Sequence, residues 1–370
     1  MKFLIFIIGC FFTGILYAQD STPSSDGPYV FYDNNKIMSI GVDSGVVHTQ
    51  TIDPKGNRVI DIKFASHPQW NFSVALRKKL RDEPAIFGQP KKIFFLSDIE
   101  GEFEAFRNLL ISNKIVDSTY QWIFGNGHLV ICGDLFDRGK EVVQELWLLY
   151  KLEDEAEANG GYVHTILGNH DIMNLSGDTR YVQPFYFSDA SLMGRNYLDF
   201  YSARSELGRW LRTKNIIEKI GDNLCMHAGI SPVINEAAIS VGRINEVCRP
   251  YYDKAGNEKA LLSAGIYPFF SDEGLFWYRG YFIEPRATMN TIDSSLYIYG
   301  CTKIIIGHTI LTNNPAMYYK GKVIGIDVNE HEGKHEGVLY ENKAWWIVDG
   351  EGNRKPLVYD AANEEINNGN

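Results

Sequence analysis

Residues that can bind metal ions recur at the ends of apolar runs in this sequence. Five runs with the length of buried strands are each followed by an oxygen or nitrogen donor. The pairs are 93–96 before Asp98, 129–132 before Asp134, 166–167 before Asn169 and His170, 224–226 before His227, and 304–306 before His308. In open α/β sheets ligands bind beyond the carboxyl ends of the strands, so these donors can converge. The pattern predicts a two-metal hydrolase.

Each of these residues alone has an ordinary structural explanation. An Asp or Asn after a strand is most often a turn former, and a lone His at a strand end is most often hydrogen-bonded within the fold. Here, however, three of the nine histidines fall at such ends, together with the carboxylates of GDLFDRG at 133–139 and GNHD at 168–171. The joint occurrence favours a metal centre over turn formation.

The donors divide into two metal sites that share one carboxylate. Two divalent cations about 3.5 to 4 Å apart lower the pKa of a bridging water and present it in line with a phosphoryl group. We assign Asp98, Glu100 and Asp134 to the first site. The second site takes Asp134 as the bridge and is completed by Asn169, His227 and His308.

Four further residues are predicted to act on the phosphoryl group. His170 is adjacent to Asn169 and, oriented by Asp137, is free to protonate the leaving oxygen. Arg138 and Arg279 are candidate phosphate clamps, because a guanidinium fork matches phosphate oxygens.

The motifs resemble those of the calcineurin-like metallophosphoesterases. DIEG at 98–101, GDLFDRG, GNHD, HAG at 227–229 and GHT at 307–309 occur in the order typical of the phosphoprotein phosphatase (PPP) branch, which also includes diadenosine tetraphosphatases. LGNHDIMNLSGDTRYV at 167–182 and WYRG at 277–280 are most similar to the Shewanella-like phosphatases. The resemblance covers residues 92–328. It implies a four-layer α/β/β/α sandwich, the ligand assignments above, and a phosphoprotein substrate.

The sequence departs from this family at two positions. The first family motif is Asp-x-His, but its third position here is Glu100; Asp171 replaces a usual Glu and keeps the carboxylate. If Glu100 is a ligand, the first site favours hard ions. We therefore expect two divalent ions, manganese and/or iron, with magnesium or zinc as alternatives. If Glu100 points away, only the second site fills.

Charge and the first residues indicate where the protein acts. The chain has 370 residues and a formal net charge of −10, so we expect no nucleic-acid partner. Residues 1–18 carry Lys2 and a nearly unbroken apolar stretch that ends at Ala18, which predicts a cleaved signal peptide. We expect an exported protein, periplasmic or secreted, with no transmembrane segment after cleavage. A lipid anchor on Cys10 is the less favoured alternative.

The remaining sequence divides by composition into three parts. Residues 19–85 alternate polar and apolar positions around turn signals and predict a small N-terminal β extension. Residues 86–349 form the metallophosphoesterase domain, and the Asn-, Glu- and Gly-rich residues 350–370 predict a disordered tail. Residues 140–158 have helical spacing, and Glu153 lies on a charged face that we expect to be solvated.

Three features have two interpretations each. The loop NEHEGKHEG at 329–337 is interpreted as a solvated turn in preference to a third metal site. The aromatic-rich insertion at 174–201 forms either core or a substrate wall. A disulfide between Cys248 and Cys301 is allowed but not established.

Three functions fit the sequence. The leading one is an exported metal-dependent phosphatase that hydrolyses phosphate monoesters by attack of a metal-bridging hydroxide. The second is hydrolysis of a nucleotide or dinucleotide polyphosphate. The third is a degenerate domain that binds phosphorylated ligands without turnover, which Glu100 would mark and which the retained His170 argues against.

Overall fold

The computed structural model describes residues 25–33, 36–312 and 314–362 of the chain. Two six-stranded sheets lie at its centre. The first sheet contains, in spatial order, β17 (Arg354–Pro356), β16 (Ala344–Asp349), β15 (Glu336–Glu341), β7 (Lys92–Leu96), β8 (His128–Cys132) and β9 (Tyr162–Ile166). Strands β7, β8 and β9 run parallel, so their carboxyl ends meet at one edge.

The second sheet brings the later donors to the same region. Its spatial order is β13 (Ala316–Tyr318), β14 (Val323–Gly325), β12 (Lys303–Ile306), β11 (Asn223–Met226), β10 (Ile217–Ile220) and β6 (Ile86–Phe87). Strands β11, β12 and β14 are parallel, and β10 is antiparallel to β11.

Alternation of side chains explains how the two sheets pack. Ile93 and Phe95 on β7 belong to the cluster shared by both sheets, which also contains Ile305 of β12. Phe94 and Leu96 belong to the larger cluster that includes the helices. Because successive side chains of a strand point to opposite faces, each central strand is buried on both sides.

Helices cover the outer faces of the sandwich. The helices are α1 (Phe103–Ser112), α2 (Val142–Ala158), α3 (Asn169–Ser176), α4 (Pro184–Leu192), α5 (Glu206–Leu211), α6 (Pro232–Ala237), α7 (Val241–Cys248), α8 (Glu258–Ser263), α9 (Tyr267–Phe270) and α10 (Met289–Tyr299). Short 3₁₀ helices occupy Pro68–Trp70, Tyr197–Tyr201, Arg249–Lys254 and Glu330–Glu332. Helix α2 packs along β9, and α7 packs along β10. The predicted fold class, an α/β sandwich with a small β extension, is confirmed.

The N-terminal β extension consists of two small antiparallel sheets. One contains β1 (Ser25–Asp33), β2 (Lys36–Asp43) and β3 (Val46–Ile52), and the other contains β4 (Val59–Ile62) and β5 (Phe72–Ala75). Tyr29 stacks on Phe200 with ring centroids 3.6 Å apart, and Trp147 of α2 donates a 2.9 Å hydrogen bond to the carbonyl of Pro28. The extension therefore packs against the helices of the sandwich.

Two sequence-based expectations fail within the described residues. The predicted tail at 350–370 is wrong at its start, because β17 pairs with the edge of β16. Glu153 is buried rather than solvated: it pairs with Arg77 at 2.6 Å and with the buried Lys214 at 2.6 Å. The charged face of α2 thus meets Arg77, near the end of the β extension, and Lys214.

Other expectations concern the cysteines and the membrane. Cys248 and Cys301 are both buried and free, so the optional disulfide is not formed. The predicted signal peptide at 1–18 and the alternative anchor Cys10 lie outside the described residues. Among the residues that the structure describes, every helix is too short or too polar to cross a membrane.

Candidate active site

The ends of five central strands position the predicted donors. Asp98 follows β7, Asp134 follows β8 and Asn169 follows β9, while His227 and His308 follow β11 and β12. All five side chains are buried to more than nine-tenths. The strand alignment therefore brings together residues that lie up to 210 positions apart in sequence.

Four predicted ligands of the second metal converge tightly. Nε2 of His227 lies 2.8 Å from Oδ1 of Asn169, 3.1 Å from Nδ1 of His308 and 3.1 Å from Oδ2 of Asp134. Asp134, His227 and His308 form a group whose ligand atoms lie within 4.8 Å of one another. These separations match those of neighbouring ligands around one ion.

The four predicted ligands of the second metal have donor atoms that suit a cation. Nδ1 of His227 lies 2.8 Å from the carbonyl oxygen of Cys132, which accepts its N–H hydrogen bond, so in the neutral ring that a metal ion requires Nε2 is the acceptor. That acceptor faces the carboxylate of Asp134 and the amide oxygen of Asn169. A cation among these atoms satisfies all of them, and the backbone carbonyl on Nδ1 is the support that metal-binding histidines usually have.

The first site is less regular. Glu100, Asp134 and His170 form a second group with ligand atoms within 4.8 Å of one another. Asp98 lies beside it, where Oδ2 accepts hydrogen bonds from the hydroxyl of Ser97 and from the backbone N–H of His308 at 3.0 Å. The structure thus brings all six predicted metal ligands together, with Asp98 at the margin of the two groups.

The charged groups of the two metal sites shift one another's pKa values. Burial raises the pKa of Asp98 to about 7, and Asp134 and Glu100 add to the effect while His227 opposes it. Burial lowers the pKa of His227, but Asp134 and Asp98 outweigh it and raise that pKa to about 10. The same histidine helps to hold the pKa of Asp134 below its ordinary value despite burial. Such shifts are typical of sites that bind cations or perform catalysis.

A hydrogen-bonded chain orients His170. Its Nδ1 lies 2.6 Å from Oδ2 of Asp137, whose other oxygen accepts a 2.8 Å hydrogen bond from Asn174. The hydroxyl of Tyr197 in turn donates to Asn174 at 2.7 Å. Nε2 of His170 lies 3.7 Å from Oε1 of Glu100 and 4.0 Å from Oδ2 of Asp134, so it faces the metal sites.

The two arginines contact different residues of the site. The guanidinium of Arg138 is half-exposed and forms an ion pair with Glu100. Arg279 donates to the carbonyl of His308 at 2.7 Å and to the hydroxyl of Thr309 at 3.0 Å. Arg279 is therefore held in place, whereas Arg138 is tied to the residue that departs from the family motif.

Backbone strain and close approach both occur in the loops of the site. Six site residues lie in the left-handed region, which costs non-glycine residues on the order of 1–3 kcal/mol. They are Asp98, Glu100, Asp134, Asp137, Arg138 and His308. A Cβ on Gly168 would lie 2.9 Å from Cγ of Asp134, so the loops pack too closely for a side chain there. The surrounding fold holds these loops against their preferred conformations.

Two acidic residues of the site were not predicted from the sequence as functional. Asp171 accepts hydrogen bonds from the backbone N–H of Asp134 at 3.1 Å and of Gly168 at 2.7 Å. It therefore links the loop after β8 to the loop after β9. Asp327 follows β14 and is buried; burial raises its pKa well above the usual value, and Asp98 and Glu100 add to the effect. The apolar run 323–326 before Asp327 is the signal that could have identified it.

The loop 329–337 is only partly solvated, because residues 331–334 are exposed but the residue before them is buried. Glu330 is buried and lies 2.6 Å from Nδ1 of His335. Nε2 of His331 lies 2.5 Å from Oε2 of Glu100, and its Nδ1 lies 2.8 Å from Oε1 of Glu102. The interpretation as a solvated turn therefore holds for residues 331–334, but it misses that the loop folds back onto the first metal site.

Comparison with known proteins identifies the family. A family model described as calcineurin-like phosphoesterase matches residues 91–311, which is more than half of the chain. The chain belongs to this family, whose members use a dinuclear metal centre, and it is a phosphoesterase-type hydrolase.

Individual relatives agree with this assignment. Shewanella-like protein phosphatase 2 of Arabidopsis thaliana is 25% identical over 307 residues, covering 68% of this chain and 74% of the relative. The solved cold-active protein-tyrosine phosphatase of a psychrophilic Shewanella sp. has a TM-score of 0.82 and 33% identity, covering 90% of this chain and 99% of that chain. A symmetrical bis(5'-nucleosyl)-tetraphosphatase of Buchnera aphidicola subsp. Acyrthosiphon pisum (strain Tuc7) is 32% identical over 146 residues, 38% of this chain and 44% of the relative. The predicted resemblance to Shewanella-like phosphatases is confirmed.

Proposed function

We propose that this chain is an exported phosphatase that hydrolyses phosphate monoesters on proteins. The observation that carries the proposal is the convergence of Asp134, Asn169, His227 and His308, with the oriented His170 directly beside them. A protein that only binds phosphorylated ligands needs at most the converging metal ligands. Catalysis needs the oriented proton donor as well.

Each residue has a separate task in this proposal. Two divalent ions, when bound, supply an activated water and positive charge for the phosphoryl oxygens. Asp134 faces both sites and would hold both ions. His170 holds a proton at Nε2, which its Asp137 partner on Nδ1 orients, and delivers it to the leaving oxygen. Arg279, anchored beside His308, binds a phosphoryl oxygen as a planar fork.

The metal preference follows from the donor atoms. Carboxylate and amide oxygens suit hard ions, and two imidazoles suit transition metals of intermediate character. The combination of Asp98, Asp134 and Asn169 with His227 and His308 therefore favours manganese and iron, with magnesium and zinc as weaker alternatives.

Aromatic side chains flank the site and support a protein substrate. The ring of Tyr181 lies 5.1 Å from that of His170 and is 46% exposed. The ring of Trp277 lies 6.0 Å from that of His308. Flat apolar faces beside a phosphoryl site suit an aryl phosphate ester, and the similar Shewanella structure is that of a protein-tyrosine phosphatase.

Export is part of the proposal and rests on residues 1–18. Lys2 followed by a nearly unbroken apolar stretch to Ala18 has the features of a signal peptide. Expression of the full chain in a bacterial host, followed by fractionation and intact-mass measurement, tests this. Cleavage after Ala18 with protein outside the cytoplasm is expected; uncleaved cytoplasmic protein would contradict export alone.

A substrate panel tests the enzymatic proposal. The protein is assayed with manganese on p-nitrophenyl phosphate, a phosphotyrosine peptide, a phosphoserine peptide and a dinucleoside tetraphosphate. We expect turnover of the first two, abolished by a chelator and restored by manganese. No turnover of any substrate by metal-loaded protein would refute the proposal.

The second candidate is a dinucleoside polyphosphate hydrolase. The similarity to the Buchnera tetraphosphatase favours it, although that match covers a smaller share of this chain than the phosphatase matches. Preference for the dinucleotide in the same panel would support this candidate. Tight binding of phosphopeptides without turnover would instead support a degenerate binding protein.

A further inference from the structure

His331 reaches the first metal site from a distant part of the chain. It lies in the loop between β14 and β15, 231 positions after Glu100 in sequence. Its Nε2 is 2.5 Å from Oε2 of Glu100. Glu100 occupies the motif position where the family resemblance leads us to expect a histidine, so the loop brings an imidazole to the place from which the motif imidazole is missing.

The distances around His331 suit a ligand. Atoms bound to one ion at about 2.1 Å lie roughly 3 Å apart when their bonds meet at right angles, so Nε2 and Oε2 are close enough to share an ion. The other ring nitrogen, Nδ1, lies 2.8 Å from Oε1 of Glu102. Metal-binding histidines almost always donate that second N–H to a carboxylate or carbonyl.

The loop is built to hold His331 in this position. His331 lies within the 3₁₀ helix Glu330–Glu332, and the preceding Glu330 is buried and paired with His335 at 2.6 Å. Asp327, at the start of the same loop, is buried near Asp98 and Glu100. The loop thus adds one carboxylate and one imidazole to the surroundings of the first ion.

We infer that Nε2 of His331 is a ligand of the first metal ion and replaces the imidazole that position 100 lacks. The inference rests on the proposed dinuclear centre. Glu100, Asp98 and Asp134 then complete that site with oxygen donors. The competing explanation is that His331 only forms an ion pair with Glu100. The two explanations predict opposite changes in metal affinity when His331 is removed. If His331 is a ligand, its loss weakens metal binding; if it is a cation that competes with the metal for Glu100, its loss tightens metal binding.

Metal titration of the full chain separates the explanations. Manganese is titrated into metal-free protein by calorimetry, and bound metal is counted by mass spectrometry after dialysis. Cobalt(II) absorption reports the ligand field independently of activity. The variants are His331→Ala and, as a control in the same loop, Lys334→Ala, which changes an exposed residue.

We expect the parent to bind two ions. His331→Ala should weaken one of them by at least about tenfold, leave the other unchanged and alter the cobalt spectrum, while Lys334→Ala should bind both ions like the parent. Introducing Glu100→His into the His331→Ala background should restore the lost affinity.

Unchanged or tighter binding by His331→Ala would overturn the inference and leave the proposed phosphatase intact. Equal losses in His331→Ala and Lys334→Ala would also overturn it, because the cause would then be general disturbance of the loop. If the parent binds only one ion, the first site is not a metal site and the inference fails. A parent that binds none contradicts the dinuclear centre itself.

Discussion

Replacing Gly307 with alanine tests whether the position of Asp98 matters. Gly307 lies outside the left-handed region, so alanine introduces no backbone strain there. The added carbon would lie 2.7 Å from Cβ of Ser97, and closer still to Oγ of Ser97 and Oδ2 of Asp98. The obstruction therefore comes from Ser97, whose Cβ is fixed to the backbone, and from the carboxylate of Asp98, which is a predicted ligand.

The size of the effect follows from these distances. Carbon atoms pack at about 3.5 Å or more, so the Ser97–Asp98 segment must shift by about 1 Å. Displacement of catalytic groups by about 1 Å can reduce turnover about 100-fold. Overpacking of this kind costs about 1–3 kcal/mol of stability, which a domain of this size tolerates. We expect Gly307→Ala to fold, to bind the first ion about 10- to 100-fold more weakly, and to lose turnover to a similar extent.

Steady-state kinetics on p-nitrophenyl phosphate and manganese titration measure both effects. Gly242→Ala is the matched control, because a Cβ there meets no atom within 4 Å and the residue lies in α7. That control should be neutral or stabilised by up to about 1 kcal/mol. Full turnover and metal affinity in folded Gly307→Ala would refute the placement of Asp98 in the first site.

Three further predictions concern other parts of the molecule. His170→Ala should keep its metal but lower kcat for alkyl phosphates about 10²- to 10⁴-fold, with a smaller loss for p-nitrophenyl phosphate, whose leaving group needs no proton; equal losses on both would contradict the proton-donor role. Tyr181→Ala should raise KM for a phosphotyrosine peptide up to about tenfold and leave KM for a phosphoserine peptide nearly unchanged. An equal rise in KM for both peptides would argue against stacking of the substrate ring on Tyr181. Burial raises the pKa of Glu218 to about 8, so the folded chain holds this proton more tightly than the unfolded chain, and stability from this residue falls as pH rises from about 4.5 to 8. Glu218→Gln should therefore gain stability relative to the parent across that range in denaturant unfolding, whereas a pH-independent difference would contradict the shifted pKa.

Local patterns predicted the elements that carry the site. Apolar runs that end on a donor identified β7, β8, β9, β11 and β12, because central strands are apolar on both faces and parallel strands end at one edge. Asp327 obeys the same rule after β14 and could have been included. The side chains that follow these strands were thus predictable from single-strand patterns.

Contacts between distant segments were not predictable in this way. The approach of His331 to Glu100 depends on how the loop after β14 folds back, which no local pattern records. Glu153 has the spacing of a solvated face, but Arg77, 76 positions earlier, pairs with it. Arg354–Pro356 has no apolar alternation and becomes a strand because β16 offers it an unpaired edge.

Metal content measured together with turnover tests the central claim most directly. Purified parent and Asp134→Asn are loaded with manganese, dialysed, analysed by mass spectrometry and assayed on p-nitrophenyl phosphate. Because Asp134 faces both groups of ligand atoms, we predict two ions and metal-dependent turnover for the parent, and loss of both ions and of turnover for the variant. A variant that keeps two ions and hydrolyses the ester like the parent would contradict the assignment of these strand ends as a dinuclear phosphatase centre.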